Sequence, residues 1–211
     1  MPKQQHMQII ADQLIENLKK RHMEGHYFHN KEDLIAFLDE DLKSDETITS
    51  GGSATLKELG VIDYLSNRED VKYLDRSHAN NRDEVEEIMR KAFTSDSFFM
   101  STNAITRDGI LVNIDGNGNR VSALIFGPKK VYVICGTNKI CGDYETAYAR
   151  TKDLACPPNC IRLDMNTPCA KTGKCANCLS DDCICNQIVY TRNSRQPNRI
   201  KVLIVDGEWG F

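Results

Sequence analysis

Short apolar runs alternate with amphipathic segments along the chain. The apolar runs have the length of β-strands and lie at residues 47–50, 71–74, 98–100, 110–114, 131–135, 188–191 and 201–205. The amphipathic segments repeat their apolar residues about every 3.6 positions, as helices do, and lie at residues 5–24, 30–42, 82–93 and 143–154. A further short helix is predicted between Gly52 and Gly60.

The order of these elements predicts the fold class. Strands that alternate with helices are typical of α/β proteins with a mainly parallel, right-handed, Rossmann-like sheet flanked by helices. The run at 131–135 is apolar throughout, as expected for a strand buried on both faces. The turn residues around Ile110 predict a hairpin, which would be an antiparallel departure from this plan.

Polar and glycine residues follow several apolar runs within the stretch 96–139. Asp108-Gly109 and the sequence Asp-Gly-Asn-Gly at 115–118 are turn formers, but the stretch holds more hydrogen-bond donors than turns need. In an open α/β sheet, ligands bind in the crevice beyond the carboxyl ends of the strands. We therefore expect this stretch to form half of a ligand site.

The other half is expected at the sequence TSGGSATLKELG, residues 49–60. This sequence predicts a strand, a glycine turn and a helix capped by Ser53 or Thr55. The free N–H groups at the start of such a helix favour binding of an anion. It matches neither GxGxxG nor GxxxxGK[ST], so it indicates no dinucleotide or P-loop site. The alternative is that the glycines serve only to turn the chain.

Together these segments give nine candidate ligand-binding residues: Gly51, Gly52, Ser53, Thr102, Asn103, Asp115, Asn119, Arg120 and Lys139. Arg120 and Lys139 are suited to a carboxylate or phosphate, and a buried Asp115 is a candidate general base. The same residues are also compatible with a purely structural role in caps and turns. The sequence has no recognisable Ser-His-Asp or Cys-His pattern, so no catalytic residue is assigned.

Charge and hydropathy exclude some classes of function. The 211 residues carry a net charge of −3 with a pI near 6.0, which gives no reason to expect nucleic-acid binding. No apolar run reaches the roughly 20 residues of a membrane span. The first twenty residues lack the apolar core of a signal peptide, so we expect a cytoplasmic protein.

Seven of the nine cysteines lie between residues 156 and 185. The surrounding segment, 155–187, has few large apolar residues and three of the six prolines, so hydrophobic burial cannot order it. A bound metal supplies the ordering free energy in many small cysteine-rich modules. Cys135 and Cys141 lie outside this segment and are interpreted as small core residues.

The spacing within this segment suggests a metal site made of Cys169, Cys175, Cys178 and Cys185. The tight Cys175-x2-Cys178 chelate occurs in both zinc and iron–sulfur sites, and we place iron–sulfur slightly ahead of zinc. Two alternatives stay open: a reduced loop whose thiols are merely tolerated, or a redox pair of Cys175 and Cys178.

These patterns divide the chain into four parts. We expect N-terminal helices packed on the main domain over residues 1–43, an α/β core over 44–154, a cysteine-rich metal-binding segment over 155–187, and closing strands of the core over 188–211.

From about residue 44 onward, four motifs resemble the lactate-utilization (LUD) domain family, in its short form with a cysteine-bearing C-terminus. They are GGSATLKELG at 51–60, STNAITRDGILVNIDGNGNRVSALIFGPKKV at 101–131, GTNKI at 136–140 and TPCAKTGKCANC at 167–178. The resemblance implies a fold of the NagB/RpiA/CoA-transferase-like group, which binds phosphorylated sugars or acyl-CoA near the predicted glycine turn. Cys169, Cys175, Cys178 and Cys185 match the family pattern, whereas Cys156, Cys160 and Cys183 are additions.

Family members are associated with lactate oxidation beside iron–sulfur subunits. The resemblance thus implies an accessory redox subunit for lactate or another hydroxy acid, with a 4Fe-4S cluster or zinc and with iron–sulfur oxidoreductase subunits as partners. The alternative is an isomerase- or transferase-like enzyme, or a sensor, that binds an anionic small molecule. A homodimer is compatible with both hypotheses.

Overall fold

The computed structural model describes residues 2–211, which fold into two β-sheets surrounded by helices. The helices are α1 (Pro2–Lys20), α2 (Lys31–Asp41), α3 (Ala54–Glu58), α4 (Val61–Ser66), α5 (Arg82–Lys91), α6 (Asn119–Ile125), α7 (Tyr144–Arg150), α8 (Cys156–Arg162) and α9 (Pro168–Thr172). The strands are β1 (Glu24–Phe28), β2 (Thr47–Ser50), β3 (Lys72–Leu74), β4 (Ser97–Met100), β5 (Ala104–Thr106), β6 (Leu111–Asp115), β7 (Lys130–Gly136), β8 (Ile140–Cys141), β9 (Gln187–Thr191) and β10 (Ile200–Val205).

The main sheet has six strands in the order β1-β10-β7-β4-β2-β3. Every pair in it is parallel, so the predicted mainly parallel α/β sheet is confirmed. The carboxyl ends of β2, β4 and β7 therefore meet at one edge, where the polar residues that follow them come together.

Both faces of this sheet are buried. Along β7, Val131, Val133 and Cys135 pack in the core on one face, while Tyr132 and Ile134 pack in the core on the other. Successive side chains of a strand point to opposite faces, so a run without polar residues is the pattern that two covered faces require. The interpretation of Cys135 as a core residue agrees with this position.

A second, smaller sheet has the order β8-β5-β6-β9. It contains the predicted hairpin, because β5 and β6 pair antiparallel on either side of Ile110. Strand β9 also pairs antiparallel with β6, and Asp115 lies opposite Gln187. This pairing brings the end of the cysteine-rich segment beside the turn that follows β6.

The helix starts follow the local sequence. Asn30 caps α2 through the N–H of Asp33, and Ser53 caps α3 through the N–H of Leu56. Helix α7 ends earlier than the predicted 143–154, and a π-helical turn at Thr151–Ala155 links it to α8. Pro157 and Pro158 lie in the first turn of α8, the part of a helix that tolerates a missing N–H group best.

Three strands, β1, β5 and β8, were not among the predicted apolar runs, although the predicted hairpin implied a partner strand such as β5. Strand β1 has the sequence EGHYF, is half-buried throughout and forms an edge of the main sheet beside β10. It lacks the apolar run that marks the inner strands. The four-part division of the chain stays a prediction. None of the helices within residues 2–211 has both the length and the apolar character needed to cross a bilayer.

Candidate functional site

A crevice of about 670 Å³ opens at the carboxyl edge of the main sheet. Eight of the nine predicted ligand-binding residues line it: Gly52, Ser53, Thr102, Asn103, Asp115, Asn119, Arg120 and Lys139. The ninth, Gly51, is buried directly behind Arg120. The two halves expected from sequence therefore meet in one place, and the volume is that of a pocket for a metabolite or cofactor.

Gly51 and Gly52 leave space for two arginine side chains. A Cβ at Gly51 would lie 3.2 Å from Cδ of Arg120, and a Cβ at Gly52 would overlap with Nη2 of Arg76. Neither glycine has a positive φ. The missing Cβ at each position thus leaves room for an arginine side chain, and neither turn needs a left-handed backbone. Anion binding by this glycine turn stays a prediction.

Arg120 is bound by the protein itself. Its Nη1 donates to the carbonyl of Ser101 (2.9 Å) and to Oδ1 of Asn113 (2.6 Å). Its Nη2 donates to Oδ1 of Asn103 (3.0 Å) and to the carbonyl of Ile114 (2.7 Å). With four hydrogen bonds to the ends of β4 and β6, this guanidinium positions the crevice wall and has little capacity left for a ligand.

Asp115 and Thr102 are also committed to the framework. The Asp115 carboxylate accepts hydrogen bonds from the N–H groups of Gly118 (3.0 Å) and Val121 (3.3 Å), and its Oδ2 lies 3.6 Å from Nε of Arg120. The Thr102 hydroxyl donates to the carbonyls of Ala104 and Val112. Asp115 thus caps the turn into α6, which leaves it poorly suited to act as a general base.

Lys139 lies on the floor of the crevice, in the 3-10 turn after β7. Its side chain is buried, and Nζ donates to Oγ1 of Thr55 (2.7 Å) and to Oγ of Ser101 (3.1 Å). Within residues 2–211 it has no ion pair with a carboxylate. Burial lowers the pKa of this amine from 10.5 to about 8, and the nearby Arg150 and Arg120 act in the same direction.

Sequence reasoning missed Arg76 and Arg162, which also line the crevice. Neither forms an ion pair in the part of the chain that the structure describes, and Arg162 donates only to the Asn159 amide oxygen. Burial, and then the charge of Arg76, lowers the pKa of Arg162. Unpaired cations at one opening favour an anionic ligand. Arg76 follows the predicted strand 71–74 almost directly, a signal that could have identified it.

A second, much smaller cavity of about 10 Å³ adjoins the crevice. We call it the cysteine cavity because seven thiols line it: those of Cys156, Cys160, Cys169, Cys175, Cys178, Cys183 and Cys185. The four predicted metal ligands are among them. So are Cys156 and Cys160 from α8 and Cys183, the residues that the family resemblance marks as additions.

The thiols around this cavity form pairs. Sγ of Cys160 lies 3.6 Å from Sγ of Cys169, close to the ~3.8 Å expected between sulfurs bound at about 2.3 Å to one tetrahedral zinc. A hydrogen bond with Cys156 lowers the pKa of Cys185 to about 6, and the same hydrogen bond raises the pKa of Cys156. Within residues 2–211, no three His, Cys, Asp or Glu side chains converge on a single point as a formed metal site.

The donor set nevertheless suits a thiophilic centre. Apart from Lys152 and Thr167, the polar side chains among the described lining residues are all thiols, and none is a carboxylate or imidazole. Burial disfavours charge on Lys152, but the adjacent Cys175 and Cys185 outweigh it and raise the pKa of Lys152. This ammonium would offset part of the thiolate charge. The paired thiols would have to rearrange to bring four sulfurs to one metal or cluster.

The crevice and the cysteine cavity share a wall. Cys156, Cys183 and Ile184 line both of them. The Cys156 thiol also lies close enough to Arg120 to influence its pKa, after burial and Asp115. A group held by these thiols would thus be adjacent to a ligand in the crevice.

A sequence model of the family described as LUD domain matches residues 11–205. The crystal structure of a DUF162 family protein from Deinococcus radiodurans is similar over 95% of this chain and 98% of that chain, with 11% identity and a TM-score of 0.52. The eIF2B beta structure from Chaetomium thermophilum overlaps 55% of this chain and 44% of its own, with 14% identity and a TM-score of 0.35. A comparison of this chain with curated proteins found no significant match.

Proposed function

This chain belongs to the LUD domain family, and from that membership we propose that it is an accessory redox subunit for oxidation of lactate or another hydroxy acid. It holds a thiolate-bound iron–sulfur or zinc centre and works with iron–sulfur oxidoreductase subunits. The redox role follows from the family resemblance, and the centre follows from the cysteines.

One observation supports this function more than any other. Cys156 and Cys183 belong both to the cysteine cavity and to the wall of the crevice. A redox centre is useful to a hydroxy acid oxidation when it lies near the site of the organic anion. The cationic Arg76 and Arg162 at the same crevice are suited to the carboxylate of such an acid.

The proposed ligands of the centre are Cys169, Cys175, Cys178 and Cys185, with the remaining thiols of the cavity close by. An iron–sulfur cluster would supply one-electron transfer, whereas zinc would supply structural order to the cysteine-rich segment. Lys152 would balance part of the thiolate charge in either case.

The metal content of cysteine variants tests this function. The chain is purified without oxygen as wild type, as the double variant Cys175→Ser/Cys178→Ser, and as the control Cys141→Ser. Cys141 lies in β8, outside the cysteine cavity. We expect the control to hold as much iron and sulfide, or as much zinc, as wild type does. The double variant should lose this metal. Equal metal content in all three proteins would contradict the proposed centre.

A second candidate function, an enzyme or sensor for an anionic metabolite, is favoured by the size of the crevice. Its volume of about 670 Å³ is far larger than a three-carbon acid needs and falls within the range of pockets for drug-sized ligands. Both functions are compatible in one chain, because the metabolite and the metal would occupy neighbouring cavities.

A thermal-shift panel of lactate, pyruvate, sugar phosphates and acyl-CoAs tests this candidate. A ligand at 100 times its Kd should stabilise the protein by about 2.7 kcal/mol. Arg76→Ala should abolish the shift, since Arg76 has no ion pair within residues 2–211 and faces the crevice. The matched control is Arg90→Ala, whose side chain is on the surface beside Glu86. A silent panel, or a hit that Arg76→Ala leaves unchanged, counts against it.

A further inference from the structure

Three buried polar side chains meet on the floor of the crevice, each from a different strand end. Thr55 follows β2 on α3, Ser101 follows β4, and Lys139 follows β7. Nζ of Lys139 lies 2.7 Å from Oγ1 of Thr55 and 3.1 Å from Oγ of Ser101. Their exposed fractions are 1% for Thr55, 7% for Ser101 and 3% for Lys139, yet all three line the crevice.

The two hydroxyl groups have different degrees of freedom. Thr55 donates to the carbonyl of Trp209 at 3.1 Å, and Gly210 packs directly against its Oγ1. Its oxygen is thus fixed and orients the Lys139 amine. Ser101 has only long hydrogen bonds as a donor, both of 3.3 Å, to Thr55 Oγ1 and to the carbonyl of Thr102. Of the two, Ser101 is the hydroxyl free to react.

We propose that Ser101 and Lys139 form a nucleophile–base pair that hydrolyses an ester or thioester whose acyl or leaving group carries an anion. A serine within hydrogen-bond reach of a base, itself oriented by a third group, is the arrangement that activated nucleophiles share. Ser-Lys pairs perform this chemistry on several unrelated folds. This activity goes beyond the redox function and does not depend on the metal centre.

The reaction balances with water as the second substrate. Oγ of Ser101 bonds to the carbonyl carbon while neutral Lys139 takes the hydroxyl proton. Lys139 then gives that proton to the departing alcohol or thiol as its bond to the acyl group breaks. Water attacks the Ser101 ester, its proton passes through Lys139 to Oγ, and the free acid leaves. Arg76 and Arg162, at the same crevice, are placed to hold the anionic part.

The surroundings of Lys139 keep part of this amine neutral near physiological pH. The charged or titratable groups that influence it are Cys135, Arg150, Arg120 and Glu58. The two arginines oppose a charge on Lys139, whereas Cys135 and Glu58 favour one. Burial is the largest influence and lowers the pKa to about 8. A base with a pKa near the working pH is the most effective kind.

A fluorophosphonate probe followed by intact-protein mass spectrometry tests the pair directly. We expect one adduct per chain, mapped to Ser101, with a labelling rate that rises with pH around a midpoint near 8. Ser101→Ala should give no adduct. Lys139→Arg keeps the positive charge but cannot act as a base, so labelling should fall by about 100-fold or more. Ser122→Ala on α6 serves as the control and should label as wild type does.

The outcomes separate catalysis from simple anion binding. An unlabelled wild-type protein at pH 9, an adduct on another residue, or a wild-type labelling rate in Lys139→Arg would each overturn the proposal. Circular dichroism of each variant checks that it is folded. The pH dependence is measured on the unaltered protein, so it stays decisive even where a variant is unstable. None of these outcomes changes the expected metal content.

Discussion

Sγ of Cys160 and Sγ of Cys169 lie 3.6 Å apart, although these residues belong to separate helices, α8 and α9. The contact joins a cysteine that the family resemblance includes, Cys169, to one that it marks as an addition, Cys160. Seven thiols in all line the same small cavity. Because the segment 163–186 contains little regular structure besides α9, the thiols are the main groups available to order it.

The first prediction concerns removal of metal. Treatment with a chelator under reducing conditions should loosen the cysteine-rich segment, because little hydrophobic burial holds it. Trypsin should then cleave faster after the exposed Lys171 and Lys174, as followed by mass spectrometry. Cleavage after Lys57 on α3, outside this segment, is the internal control. Identical cleavage rates with and without chelator would mean that no metal orders the segment.

The second prediction concerns Arg120. The change Arg120→Ala removes donors from the carbonyls of Ser101 and Ile114 and from the Asn113 side chain. Buried acceptors left unpaired cost about 1–3 kcal/mol each, so we expect a loss of at least roughly 3 kcal/mol in the free energy of unfolding in urea. The surface control Arg90→Ala should change it by less than about 0.5 kcal/mol. Unchanged stability with lost ligand binding would instead assign Arg120 to the ligand.

The third prediction compares the two glycines. Gly51→Ala presses on Arg120, which four hydrogen bonds fix, so overpacking should cost about 1–3 kcal/mol. Gly52→Ala meets only the free end of Arg76, which can swing away. Its stability should change by less than about 0.5 kcal/mol, while anion binding in the crevice weakens. Urea unfolding and a thermal-shift titration of each variant provide the comparison, and the reverse order of stabilities would refute it.

The fourth prediction is a pH dependence of stability. In the folded protein the pKa of Lys139 is about 8, below the ordinary 10.5. Between these pH values the unfolded chain binds more protons than the folded protein does. The free energy of unfolding therefore rises as pH increases from about 8 to 10.5. At about 1.4 kcal/mol for each pKa unit, this gain is on the order of 3 kcal/mol. Lys139→Met should lack it. The free energy of unfolding in urea is measured against pH for wild type and Lys139→Met. Parallel curves for the two proteins would show that Lys139 is not desolvated as described.

The sequence predicted the fold well because the inner strands are long, apolar and buried on both faces. The runs that became β2, β4, β7 and β10 lie within one or two residues of their observed bounds. Edge strand β1 and the short β5 and β8 carry no such pattern. Strands β1 and β8 are only half-buried, and β5, although buried, has three residues, too few for a periodicity to be detected.

The candidate site could be predicted in location but less well in roles. Ligands bind at the carboxyl ends of parallel strands, and this rule predicted one site for Gly52, Asn103 and Lys139, which line the same crevice. It could not predict that framework hydrogen bonds would occupy Arg120, because the partners in these hydrogen bonds are determined by tertiary packing. Likewise, Ser101 and Lys139 are 38 positions apart, and only the pairing of β4 with β7 places them in contact.

The most direct test of the account is an anaerobic analysis of iron, acid-labile sulfide and zinc in the wild-type chain, together with an absorption spectrum. We expect either iron and sulfide in equal amounts with broad visible absorption, or one zinc per chain and no colour. Values well below one per chain for all three elements would contradict a thiolate-bound centre beside the crevice.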